Sequence, residues 1–246
     1  MKNKFHSEIL KSIIAVSKTG QADKEGFVLK YLGTNKASYH LDTGTVIKIA
    51  KNFIKENTLS QKEFEGFIDS LYSGKSCEEI FIAAKIVGLS HDHRQKLGLS
   101  HLDKWLGNVC GWAETDSLCQ MAFTGDDLLT RWPEWSKLIT QFSIDKNIHK
   151  RRASLVLLTK PLRQSEDPRL CTLAIHNLDL LKNEKDILIT KAVSWILRSM
   201  IKNHRGIVTR YLEENRNQLP RIAVREVTTK LKTGKKYINN KKSKQQ

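Results

Sequence analysis

The residues of this chain whose types and spacing could do chemistry together lie in Leu106–Gln120, LGNVCGWAETDSLCQ. The stretch is predicted to form one short helix. Trp112 and Asp116 stand four apart and so share a face, while Glu114 sits on a different one. A carboxylate beside an aromatic plane can face a developing positive charge. The formal net charge of +16 can hold a polyanion around it. The same spacing also fits a core tryptophan followed by a surface or capping aspartate, and the stretch alone leaves both readings open.

The elements that must position these residues are helical. Only four prolines and thirteen glycines punctuate 246 residues, and the apolar spacing is mostly three and four. Ile9, Leu10, Ile13 and Ile14 mark an amphipathic first helix, interrupted by Lys11, and not a signal peptide. Lys24–Leu32 repeats the pattern through Phe27, Val28, Tyr31 and Leu32, before a loop at Gly33–His40. From Asp42 and Thr43, Val46, Ile47, Ala50, Phe53 and Ile54 mark a helix ending near Asn57. Ser60 with Glu63, and Ser76 with Glu79, make capping boxes for the next two helices. His91, Asp92 and His93 read as a polar linker, because two histidines with only His101 nearby complete no usual metal site. Trp132, Pro133 and Trp135 open a further helix in structural roles. Asn147–Leu158, NIHKRRASLVLL, places Lys150, Arg151 and Arg152 at the start of an apolar helix. Asp167 and Pro168 cap and start the next, and Asp186–Asn203 is long and apolar, with Ala192, Trp195 and Ile196 on one face. Ile207–Glu214 and Arg221–Leu231 complete the set. Periodicity cannot separate Arg151 from Arg152, and Trp195 as a bare residue reads as core.

Helix pairs begin near Thr43, Ser76, Gly111, Lys146 and Asp186, the spacing of helical-pair repeats. The expected fold is all-α: an α-solenoid of stacked helix pairs with a concave basic face that could cradle a duplex by its phosphates. One domain is expected over residues 1–231, followed by a lysine-rich disordered tail over 232–246. A pI near 9.7 points to nucleic acid first and an acidic membrane surface second. No apolar run reaches the ~18–20 residues that cross a bilayer. Cys77, Cys110, Cys119 and Cys171 form no CxxC pair, which fits reduced thiols in a cytoplasmic protein.

Four segments, in order, resemble the AlkD family, the DNA alkylation repair glycosylases built of HEAT-like repeats. They are YLGTNKASYHLDTGTVIKIAKNFIKEN, GWAETDSLC with its W-x-x-x-D spacing, NIHKRRASLVLL, and KAVSWILRSMIKN continuing through YLEENRNQLPRIAVREVTTKL. The likeness covers most of Tyr31–Leu231. It implies that Asp116 is the catalytic carboxylate and that Trp112 and Trp195 hold the deoxyribose. It implies that Arg152 contacts the backbone near the lesion and that Tyr31 lies near the DNA. Lys150 and Arg151 are then non-specific phosphate contacts, with a solvated helix start as the alternative for all three cations. The chain departs from the family at Gly111 and His149, where tryptophans often stand, and it lacks the family glycine near Leu41.

The activity so implied is removal of cationic N3- or N7-alkylated purines from double-stranded DNA, by a monomer, with the base left stacked. No cofactor or metal is implied, nor a membrane partner. A fixed carboxylate would stabilise the oxocarbenium character of the sugar and position water, and the two indole faces would pack on that charge. The rival reading is a non-catalytic HEAT-like protein that binds DNA or RNA. A weaker third is a protein–protein scaffold, against which the positive charge argues.

Overall fold

A computed structural model of the chain describes residues 3–24 and 26–237. Among these residues there are fourteen α-helices, one π-helical segment and no strand. The all-α expectation therefore holds. The chain divides into two compact units, Met1–Leu138 and Ile139–Gln246. No helix of the described residues is long and apolar enough to cross a membrane.

The first unit opens with α1 (Lys4–Val16), α2 (Phe27–Leu32), α3 (Thr43–Glu56), α4 (Gln61–Tyr72) and α5 (Cys77–Leu89). In α1 the buried stripe is Phe5, Ile9 and Ile13, whereas Ile14 is exposed. Phe5, Phe53 and Phe67 meet with ring centroids 4.6 to 5.9 Å apart and close the core between α1, α3 and α4. In α2, the side chains of Phe27 and Val28 lie outside the described residues. Both capping boxes form: Ser60 and Ser76 each accept from the backbone N–H of the glutamate three residues on, and each glutamate accepts in return. Asp42 caps α3 through the Thr45 N–H.

The stretch expected as a polar linker is instead α6 (His91–Lys96). Its Arg94 is buried, paired with Asp127 at 2.9 Å, and donates to the Gly88 carbonyl at 2.7 Å. It so satisfies the carbonyls at the end of α5, and its pairing with Asp127, 33 residues on, is one that local polarity does not announce. His93 stacks on Phe64 at 4.4 Å. Next come α7 (Leu99–Asn108), α8 (Gly111–Ser117), the π segment Leu118–Ala122, α9 (Gly125–Thr130) and the start of α10 (Trp132–Ser143). Trp135 is buried, edge-on to Phe123.

The second unit holds α11 (Ile148–Gln164), α12 (Pro168–Leu181), α13 (Ile187–Glu214) and α14 (Arg221–Thr233). Asn147, Asp167 and Asp186 cap the first three. Helix α13 runs over both predicted segments, and His204 at φ −132° and ψ 38° marks the break between them. Helices α11 and α13 pack on each other, and Val156, Leu158, Ala192, Val193, Ile196 and Leu197 are buried. Helix α14 takes in the first two residues of the expected tail, and that tail lies outside the described residues from 238 on. All four cysteines are free thiols.

Candidate functional site

Leu106–Gln120 is not one helix. Helix α7 ends at Asn108, the chain is extended at Val109 and Cys110, and α8 starts at Gly111. The apolar period runs on through the break, so periodicity missed it. Gly111 has φ +73°, and a Cβ there would collide with the Gly33 and Leu32 carbonyls. Gly33 is itself left-handed at φ +71° as the C-cap of α2. Two glycine backbones thus pack on each other and seat α2 against the start of α8.

This seating places Tyr31 edge-on to Trp112, with ring centroids 5.4 Å apart and planes at 80°. The Trp112 indole N–H donates to the Tyr31 carbonyl at 2.6 Å. Tyr31 is exposed and Trp112 partly so. Asp116, partly exposed, follows one turn later on α8.

Sequence reasoning missed what holds α8. Glu114 is fully buried. Its carboxylate accepts from the Cys110 N–H at 2.9 Å, from the Lys36 ammonium at 2.8 Å and from the Thr34 hydroxyl. Lys36 also donates to the Asn108 carbonyl at 2.7 Å. One buried ion pair therefore ties the loop after α2 to both sides of the α7–α8 break. The available signal was the polar, non-periodic GTNK run beside that break, but nothing local pairs it with Glu114. At the other end, α8 passes into the π segment, whose Met121 carbonyl lies where a Cβ on Gly88 of α5 would stand. Such π turns inside α-helices are frequent at functional sites.

Positions 34–43 around Leu41 hold no glycine, and His40 takes the left-handed conformation there at φ +55°. Its ring bonds the Asp23 carboxylate at 2.9 Å. Ser38 and the Tyr39 N–H both donate to the buried Glu78 at 2.7 and 3.0 Å, which pins the loop to α5.

In the second unit the three successive cations of α11 have different surroundings. Arg151 donates to Glu184 at 2.7 and 3.3 Å and to the Asp145 and Lys146 carbonyls at 2.8 and 2.9 Å. Lys150 lies 3.6 Å from Asp145 and over the Phe142 ring. Arg152 is buried, and its guanidinium donates to the Leu188 carbonyl in the first turn of α13. A solvated helix start thus describes none of the three. Trp195 sits two turns along α13 from that carbonyl, partly exposed, beside the buried Ala192 and Ile196.

A solved structure, "Predicted DNA alkylation repair enzyme from Enterococcus faecalis", is similar to this chain with a TM-score of 0.69 at 18% identity. The match covers 84% of this chain and 93% of that one, and at this identity it is a likeness of fold. No curated protein matches the chain. The family model described as DNA alkylation repair enzyme matches residues 15–231, including every candidate position above. The chain belongs to the DNA alkylation repair enzyme family.

Proposed function

We propose that this protein is a monofunctional DNA glycosylase that removes cationic N3- or N7-alkylated purines from duplex DNA. The observation that carries the reading is Asp116, partly exposed one turn beyond Trp112, on a short helix fixed at both ends. Alkylation at a purine ring nitrogen makes the base a cationic leaving group. As the bond from C1′ to the base nitrogen breaks, its electron pair goes to the base and positive charge grows on the sugar. Asp116 stabilises that charge electrostatically and orients the water whose oxygen bonds C1′ and whose proton is released. Trp112 offers an indole face to the same charge. Family register, not local geometry, gives Trp195 the deoxyribose role and Arg152 the backbone role. The proposal includes HEAT-like pairing of helices within each unit, supported in the second unit by the packing of α11 on α12 and α13 and of α13 on α14.

The test is release of free base from a duplex bearing 7-methylguanine. Wild type should release it, and Asp116→Asn should release it about 10²–10³-fold more slowly while still binding duplex. Equal release by both proteins would remove Asp116 from the mechanism. A second reading, a non-catalytic nucleic-acid-binding member of the family, is favoured by Gly111, whose backbone admits no side chain where a tryptophan often stands. Duplex binding without base release by folded wild type would select it.

A further inference from the structure

Three helices of the second unit, α11, α13 and α14, each bring one cation to the same place. Arg163 ends α11, Arg198 lies midway along α13, and Lys230 lies near the end of α14. Lys230 donates to the Arg198 carbonyl at 2.9 Å, and Arg163 donates to the Ser199 hydroxyl at 3.0 Å. These pairs are 32 and 36 residues apart in sequence, so the cations recur at the period of the helix pairs. Lys202 adds its ammonium at the Arg163 carbonyl, 3.1 Å away.

The charge at this place is unbalanced. Glu226 is buried and is already shared: Arg198 Nε lies 3.3 Å from it, Ser194 donates at 2.7 Å, and Lys236 lies at 3.5 Å. Among the described residues, Arg163 and Lys230 have no carboxylate partner, and the terminal nitrogens of Arg198 make no hydrogen bond. Partial burial holds Arg163, Arg198 and Lys230 all below their ordinary pKa values. Repulsion from Arg163 adds to this at Arg198, where Glu226 opposes it, and Arg198 and Arg163 together add to it at Lys230. A merely structural hydrogen bond to a carbonyl or a hydroxyl needs no charge. Three cations held together at a cost to the fold match an anion with several acceptor oxygens, and guanidinium groups suit phosphate geometry.

We propose that Arg163, Arg198 and Lys230 clamp a backbone phosphodiester of a bound nucleic-acid strand. Trp195 stands three residues before Arg198 and so shares its helix face, which puts the clamp one turn from that indole. The strand as the source of the phosphate rests on the DNA-repair reading above.

Binding of the full chain to an unmodified duplex, read by fluorescence anisotropy across a salt series, tests the clamp without any lesion chemistry. Arg163→Gln and Lys230→Gln should each weaken binding and flatten the slope of log K against log salt, and because the cations share one phosphate the double variant should flatten it by about 0.9 in all. Arg216→Gln removes a charge from an exposed turn and should leave the slope unchanged. Thermal midpoints of the two clamp variants should equal or exceed that of wild type, because a repelling charge has gone. Unchanged slopes, an equal effect of Arg216→Gln, or no duplex binding at all would overturn the clamp. So would unchanged slopes with a midpoint raised by inorganic phosphate in wild type but not in Arg163→Gln, which would mark a free-phosphate site. Base release with unchanged slopes fails the clamp alone, and altered slopes without base release fail the glycosylase alone.

Discussion

Gly111 holds its Cα against Gly33 in a left-handed conformation, and this decides what can precede Trp112. An L side chain there costs roughly 1–2 kcal/mol in backbone conformation. The collision with the Gly33 carbonyl adds to that cost, because the obstacle is backbone and cannot rotate away. Gly111→Ala is therefore expected to lower unfolding free energy by at least about 1–2 kcal/mol in a urea titration. Gly111→Trp, which restores the residue often found in the family, should be worse, and neither should enhance base release. An alanine variant as stable as wild type would mean that the glycine contact does not seat α8. The departure from the family is thus a property of the backbone: α2 approaches α8 so closely that only glycine fits between them.

Helix α8 has only seven residues, too few to be stable alone, so its position depends on what grips its ends. Glu114 grips the first turn through Lys36, Thr34 and the Cys110 N–H. Glu114→Ala would leave Lys36, whose side chain is only 12% exposed, without its counter-charge. Removal of one partner of such a pair typically costs about 3–5 kcal/mol. Glu114→Gln keeps hydrogen bonds to Thr34 and Cys110 and should cost less. Base release should fall with the population of folded protein in Glu114→Ala. An alanine variant of wild-type stability would show that the ion pair is not what holds the break. This pair also marks the limit of what the chain discloses before folding. The helices with a complete apolar stripe and a local cap could be read directly, as with Ser60 and Glu63, Ser76 and Glu79, or Asp167 and Pro168, since those signals act within one turn. The break at Cys110, the burial of Glu114 and the helix at His91 could not, because each depends on a partner 6 to 78 residues away. Likewise the separate surroundings of Arg151 and Arg152 come from Glu184 and Leu188, which periodicity around Leu155 cannot reveal. The candidate site residues were placed by family register, and their local geometry required the fold.

At the scale of the whole molecule, 42 lysines and arginines face 26 carboxylates, so acid works against the fold in two ways. Protonation of carboxylates raises a charge that is already +16 at pH 7, and self-repulsion grows with it. It also removes specific partners in the first unit. Burial pushes the Asp69 carboxyl up, but the bonds from Lys104 at 2.7 Å, His101 at 2.9 Å and Trp105 at 2.6 Å outweigh it and hold the group below its ordinary 3.8. Glu79, likewise buried, is held below its ordinary 4.5 by His6 at 2.5 Å and by Ser76. Both groups bind fewer protons folded than unfolded, so their stabilisation is complete above those ordinary values and is lost as pH falls through the lower folded ones. The thermal midpoint should therefore fall steeply below about pH 4.5. Asp69→Asn should start lower at pH 7 and fall less steeply, because one linked carboxylate has gone. Raising NaCl to about 0.3 M should recover only the long-range part, since contacts shorter than 3 Å lie well inside the screening length of roughly 5–6 Å. Parallel curves for wild type and Asp69→Asn, with full rescue by salt, would assign the acid lability to net charge alone and remove Asp69 from the account.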